Sequence, residues 1–280
     1  MPNHVIVSTL NWSENSLEKA VASVAALDFG QIDLGLHEGR AHLNPSDLAA
    51  GGASRVAREA DRVREMLARR SMKRVSALDV DLAGDAAIDL AEQRRRLGAA
   101  CDLARALDVD VMTLATAPWG SALVQEAERL RQLLPVARDR GVTLTVQTPA
   151  AQVTAAVDAV LRLCELVPGL GVTLDAAHLL AGPNRGADFS AVYPLVKLVH
   201  LRDATLEHPQ VPAGTGQVDF ARIVGRLHQL KYSGKFVIAY SDHVPTTVLG
   251  EGSTDVSENV TRMRDVFVAA ERGQGIVRTP

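Results

Sequence analysis

Eight times along this chain a short apolar run gives way to a stretch of helical periodicity, and no other feature restricts the fold as much. The runs are His4–Ser8, Gln31–Leu36, Arg74–Val80, Asp110–Thr116, Val142–Gln147, Gly171–Asp175, Val196–His200 and Lys235–Tyr240. A brief apolar run bounded by polar residues reads as a strand buried on both faces, as in a parallel sheet. Between the runs apolar residues recur at helical spacing, for example Leu17, Val21 and Val24, then Val56, Ala60 and Val63, then Phe220, Ile223 and Leu227. Regular alternation without a linker or a break in composition predicts a closed (β/α)8 barrel. An open doubly wound sheet is the alternative. It usually carries a glycine-rich phosphate turn after its first strand, and the stretch from Thr9 to Asn15 has none.

Length and composition fit this fold. The 280 residues are ordinary for one barrel, and a hydrophobic content of 47% permits a large core. The expectation is one domain over residues 1–280, with a frayed tail from about residue 273. The stretch from His37 to Gly52 reads as a long loop, since Pro45 and two glycines break it. Net charge is −3, so the overall field gives no reason to expect a nucleic-acid partner, and Arg94–Arg96 reads as a solvated helix face. No run reaches membrane-spanning length, and the first residues lack the pattern of a secretion signal. A cytoplasmic protein is expected, with Cys101 and Cys164 as reduced core residues.

Polar groups at the carboxyl ends of barrel strands are where this architecture places chemistry. The sixth run ends in Asp175, with His178 close behind, and the seventh ends in His200, followed by Arg202 and Asp203. Gln147 ends the fifth run and points into the mouth, Trp119 follows the fourth, and His37 with Glu38 follows the second.

The blocks LGVTLDAAH (Leu170–His178), VKLVHLRDA (Val196–Ala204) and PAGTGQVDF (Pro212–Phe220) resemble the xylose isomerase-like TIM barrels. That superfamily holds sugar isomerases and epimerases together with the endonuclease IV DNA-repair enzymes. The resemblance covers nearly the whole chain and supports the single TIM-barrel expectation. It implies a divalent metal, often manganese, held at the barrel mouth by a Glu, an Asp, a His and a Glu from strands five to eight. The two glutamates would also move the proton at the sugar carbon. Asp175 matches the Asp, His200 the His, and His178 a histidine that contacts substrate or, in the endonucleases, a second metal. Both glutamate positions depart from the pattern, falling on Gln147 and Ala239.

These departures alter the expected chemistry. Hard cations want several anionic oxygens, so a site of Asp175, His200 and Gln147 should bind manganese weakly, while zinc, which prefers nitrogen, is better served by His178, His200 and Asp175 with water. Glutamine is no general base near neutral pH. His178 and Asp242 are the substitute catalytic candidates, Asp242 through a register shift that would bring it to the mouth. His37, Trp119, Gln147, His178 and Asp203 are the candidate substrate contacts. Trp119 either stacks on a sugar face or covers the barrel end. The resemblance thus implies a sugar or sugar-phosphate isomerase or epimerase with an altered metal site, acting on a small carbohydrate or polyol-like substrate. A degenerate barrel serving as a binding or regulatory protein is the alternative, and a homo-oligomer is the family default. The endonuclease activity is disfavoured by the acidic balance and the incomplete histidine set.

Overall fold

The computed structural model describes residues 4–84, 87–149, 151–183, 185–240 and 255–273. Its strands are β1 (Val5–Ser8), β2 (Gln31–His37), β3 (Ala41–His42), β4 (Arg74–Asp81), β5 (Val111–Leu114), β6 (Thr143–Val146), β7 (Gly171–Asp175), β8 (Val196–Leu201) and β9 (Lys235–Ile238). Its helices are α1 (Leu17–Ala26), α2 (Pro45–Ala68), α3 (Leu90–Ala106), α4 (Leu123–Arg138), α5 (Val157–Leu166), α6 (Ala176–Ala181), α7 (Phe220–Gln229) and α8 (Val256–Glu271). Each barrel strand pairs in parallel with its neighbours, and β1 pairs with both β9 and β2, which closes the ring at eight strands. The two-residue β3 is antiparallel to β2 and stands outside the ring. Among the described residues no helix is long and apolar enough to cross a membrane.

Side-chain alternation along the strands produces two cores. Ile6, Ala77, Val111, Leu198, Val237 and Ala239 pack together as a cluster of their own. A larger core, including Leu34, Leu78, Met112 and Leu144, lies with the buried faces of the helices. Helix α7 shows how the sequence dictates this layer. Asp219 accepts from the Arg222 N–H to cap the helix, and Phe220, Ile223, Val224 and Leu227 are buried. Polar side chains also enter the barrel. Thr173 lies 2.8 Å from Thr113 and 2.7 Å from Thr145, hydroxyl to hydroxyl, in a buried network across β5, β6 and β7.

Three local expectations are corrected. The stretch after His37 is not one long loop, because a helix begins at Pro45 and runs to Ala68 with a kink at Gly52. Proline suits the first turn, where its missing N–H has no helical partner, and Gly52 takes φ 59°, a left-handed conformation favoured by glycine. The sequence spaces Val153, Val157, Val160 and Cys164 as one helical stripe, but helix α5 begins only at Val157. The residues before it fold back instead: Gln152 accepts from the Thr116 amide and hydroxyl, and the Thr154 hydroxyl donates to the Gln147 carbonyl. Arg96 is not a solvated residue. Its guanidinium donates to Glu92 and the Leu82 carbonyl and pairs with Glu38 at 3.3 Å.

Candidate active site

Strands β1, β2, β4 and β8 bring a buried polar group together. Ser8 and Asp33 are register partners on β1 and β2, and the Ser8 hydroxyl donates to Asp33 Oδ2 at 2.7 Å. Oδ1 of Asp33 is buried without a hydrogen-bond partner. On β4, Asp79 lies 2.9 Å from His37 Nε2. On β8, His200 has Nδ1 2.9 Å from Gln147 Nε2, while its Nε2 is buried and without a partner. Asp33, Asp79 and His200 each offer one ligand atom, and these atoms lie within 4.8 Å of one another. Two carboxylates and an imidazole form a donor set that suits a divalent cation.

Beside this group lies a cavity of about 210 Å³, whose lining includes His37, Asp79, Gln147, His200, Arg202 and Tyr240. Ala239 also lines it, and its methyl group offers no ligand.

The electrostatics follow from burial and proximity. Burial and the charge of Asp79 push the Asp33 carboxyl up to about 7. Burial acts the same way on Asp79 but is overcome by the His37 hydrogen bond and charge, helped by His200 and Arg202, so its pKa falls below the usual range. Burial alone would lower His37, yet the hydrogen bond and charge of Asp79 leave it raised. Burial lowers His200 and brings His178 down to about 4, so the His178 ring is neutral at ordinary pH.

Asp175 occupies a different setting. Its Oδ1 accepts from the Ala177 and His178 amides and caps α6. Its Oδ2 accepts from Gln147 Nε2 at 3.2 Å and lies 3.5 Å from His178 Nδ1 and 3.6 Å from Arg202 Nε. Since His178 is neutral, Arg202 is the cation that faces this carboxylate. Burial opposes ionisation of Asp175, but the charges around it and the backbone bonds keep its pKa low.

Of the residues proposed from sequence, Asp175, His200 and Gln147 therefore meet through the Gln147 amide, and His178 joins them through Asp175. His37 reaches the cavity from β2. Asp203 is buried, and its carboxylate accepts from the amides of Ala204, Gly214, Gly216 and Val218. It thereby fastens the glycine turn. Trp119 is 58% exposed and does not line the cavity. Asp242 lies outside the described residues. Asp33 and Asp79 were absent from the sequence-based set. Their signal was a carboxylate in the middle of an apolar run, which a buried strand tolerates only with partners.

With fold and geometry in hand, the comparisons define the class. The family model for xylose isomerase-like TIM barrels matches residues 21–266, and the chain belongs to that family. Among solved structures, a D-allulose 3-epimerase from Methylomonas sp. superimposes with a TM-score of 0.71 at 18% identity, covering 95% of this chain and 97% of that one. A xylose isomerase-like TIM barrel protein from Mycobacterium smegmatis, in complex with magnesium, gives 0.71 at 15% identity, covering 97% of each chain. A xylose isomerase domain protein from Alicyclobacillus acidocaldarius gives 0.70 at 16% identity, covering 96% and 99%. At these identities the likeness concerns the fold. No curated protein matches the sequence.

Proposed function

We propose that the chain is an isomerase- or epimerase-like enzyme that shifts a proton on a small polyhydroxylated substrate in the barrel mouth. In this reading Asp33, Asp79 and His200 hold the divalent cation. The observation that carries it is the convergence of three ligand atoms within 4.8 Å, with Asp33 Oδ1 and His200 Nε2 buried and unpartnered. Buried polar atoms without partners are costly; a cation would satisfy Asp33 Oδ1, and also His200 Nε2 once the Gln147 amide is turned so that Nδ1 carries the ring proton. The set at Asp175, Gln147 and Ala239 fits a cation poorly, because the Asp175 oxygens already accept from two backbone amides and from Gln147, and Ala239 contributes nothing.

A bound cation would polarise a substrate carbonyl or hydroxyl and acidify the adjacent C–H. The chain's own groups do the rest. His37 lines the cavity, and its bond to Asp79 orients the ring and raises its basicity, which suits it to hold and return the proton. Tyr240 and Arg202 also line the cavity, where they would orient the substrate.

Metal titration of tag-free protein by calorimetry tests the cation site. Manganese and zinc should bind near one per chain, and Asp33→Asn and Asp79→Asn should each weaken binding at least about 10-fold. Loss on Asp175→Asn with no effect of Asp33→Asn would return the cation to the position implied by the resemblance. Absence of binding in the unsubstituted protein would sink the metal-dependent reading. A second reading, a binding barrel without turnover, is favoured by Gln147 and Ala239 standing where acid–base glutamates are expected. Ligand binding with no proton exchange from solvent deuterium would select it.

A further inference from the structure

Arg202 places a cation in the mouth that the cation site does not use. It follows β8 two residues after His200, and alternation brings both side chains to the cavity. The Arg202 side chain is only 12% exposed, and its Nε is buried without a hydrogen-bond partner. Its one charged neighbour at pairing distance among the described residues is Asp175, at 3.6 Å, beyond hydrogen-bond reach. That carboxylate is already engaged by the Ala177 and His178 amides and by Gln147. A guanidinium carries five N–H donors in a planar fork, and the buried Nε–H of Arg202 finds no acceptor among the described residues. Holding such a group largely out of water without acceptors is unfavourable unless something else supplies them.

A second guanidinium reaches the same cavity. Arg40 follows β2, lines the mouth, and makes no ion pair among the described residues. The cavity wall therefore carries both signs of charge, with Asp79 on β4 and the two arginines after β8 and β2.

We infer that the mouth takes a small polyhydroxylated carboxylate, its anion clamped by Arg202 with Arg40 contributing at the rim. The planar fork of arginine matches a carboxylate in bidentate fashion. A phosphorylated sugar fits less well. Phosphate sites usually draw on backbone N–H groups of a glycine turn or a helix start. The glycine turn beside β8 has the amides of Gly214 and Gly216 committed to Asp203. The inference rests on the reading that this mouth binds substrate, and it specifies the substrate's charge.

The test compares acid and neutral partners of one skeleton by thermal shift and calorimetry. D-gluconate is set against D-glucitol, D-glucuronate against D-glucose, and glycerate against glycerol, with glycerol 3-phosphate as the phosphate arm. All are run with excess manganese and again with EDTA. At least one acid should bind about 10-fold or more tightly than its neutral partner. Arg202→Gln should abolish that preference, Arg202→Lys should keep a part of it, and Arg40→Gln, on an exposed loop, should reduce it without threatening the fold. Equal behaviour of acids and neutral partners across all pairs would overturn the inference. So would a preference that survives both Arg202→Gln and Arg40→Gln, or stronger binding of the phosphate. A preference that persists in EDTA while no metal binds would sink the cation site and leave the arginine clamp standing.

Discussion

Gln147 stands with its Nε2 2.9 Å from Nδ1 of His200, and the orientation of that amide selects which imidazole nitrogen carries the proton. With the amide N–H donating to Nδ1, the proton of the neutral ring lies on Nε2. With the amide turned so that its oxygen accepts from Nδ1–H, Nε2 becomes free to ligate a cation. The second arrangement brings the amide oxygen toward Asp175 Oδ2, which the first serves with an N–H at 3.2 Å. Gln147 therefore couples the two carboxylate settings of the mouth through one side chain.

Gln147→Glu should lock the second arrangement. A carboxylate only accepts, so it would take Nδ1–H and leave Nε2 to the cation, as carboxylate–histidine pairs do at metal sites. The expected outcome is manganese binding tighter by about 10-fold. The metal-free protein should melt earlier, since Asp175 then faces a second carboxylate where it had an N–H donor. Calorimetric titration and thermal melts with and without metal measure both. Unchanged affinity would show that the His200 ring is not the ligand.

Asp203 should prove structural. Its carboxylate accepts from Ala204, Gly214 and Gly216 at 2.9–3.0 Å and from Val218 at 3.4 Å. Asp203→Ala would strand several buried N–H groups at about 1–3 kcal/mol each, some of it recovered by entering water. A loss of roughly 3 kcal/mol in urea unfolding is expected, with a larger loss than for Asp203→Asn, which keeps one acceptor oxygen. Gly216→Ala should also destabilise, because a Cβ there would collide with the Asp203 carboxylate and the Ala204 carbonyl.

The barrel was legible in sequence because period-two and period-3.6 patterns are local, and each of its eight runs became a strand. The site was legible where a polar residue ends a run, as with Asp175, His200 and Gln147. It was not legible where a carboxylate interrupts one. Asp33 and Asp79 gain meaning only when ring closure sets Ser8 beside Asp33 and β4 carries Asp79 to His37, contacts between residues distant in sequence. The helix at Pro45 was hidden for the opposite reason: Pro and Gly read locally as breakers, but proline can also begin a helix and glycine can also kink one.

The threonine network inside the barrel gives a sharper test of interior packing. The Thr173 hydroxyl joins those of Thr113 and Thr145, and Thr145 also donates to the Met112 carbonyl. Thr173→Val keeps the shape and removes the shared hydroxyl, so the expected loss is about 1–2 kcal/mol. Thr173→Ser keeps the hydroxyl and loses a methyl group, about 1 kcal/mol. Chemical denaturation of the pair should rank valine at or below serine. A valine variant as stable as the parent would show that the hydroxyls stabilise nothing there.

Cys101 and Cys164 should be silent thiols whose reaction reports opening of the helices. Burial pushes Cys101 up to about 12 and Cys164 up to about 11. At pH 8 the thiolate fractions of the closed protein are then roughly one in ten thousand and one in a thousand, and only the thiolate attacks a disulfide reagent. Raising the pH from 7 to 9 should therefore increase both rates about 100-fold in folded protein if reaction occurs without opening. If reaction instead requires opening, the exposed thiols have ordinary pKa values, and the pH dependence flattens as pH passes about 8.5. Cys101 lies in α3 with no exposure, and Cys164 lies in α5 at 9%. Cys164 should react first, and Cys101 only with global unfolding. Thiol titration of the two single Cys→Ala variants resolves the order, and equally fast reaction of Cys101 would mean that α3 opens independently of the barrel.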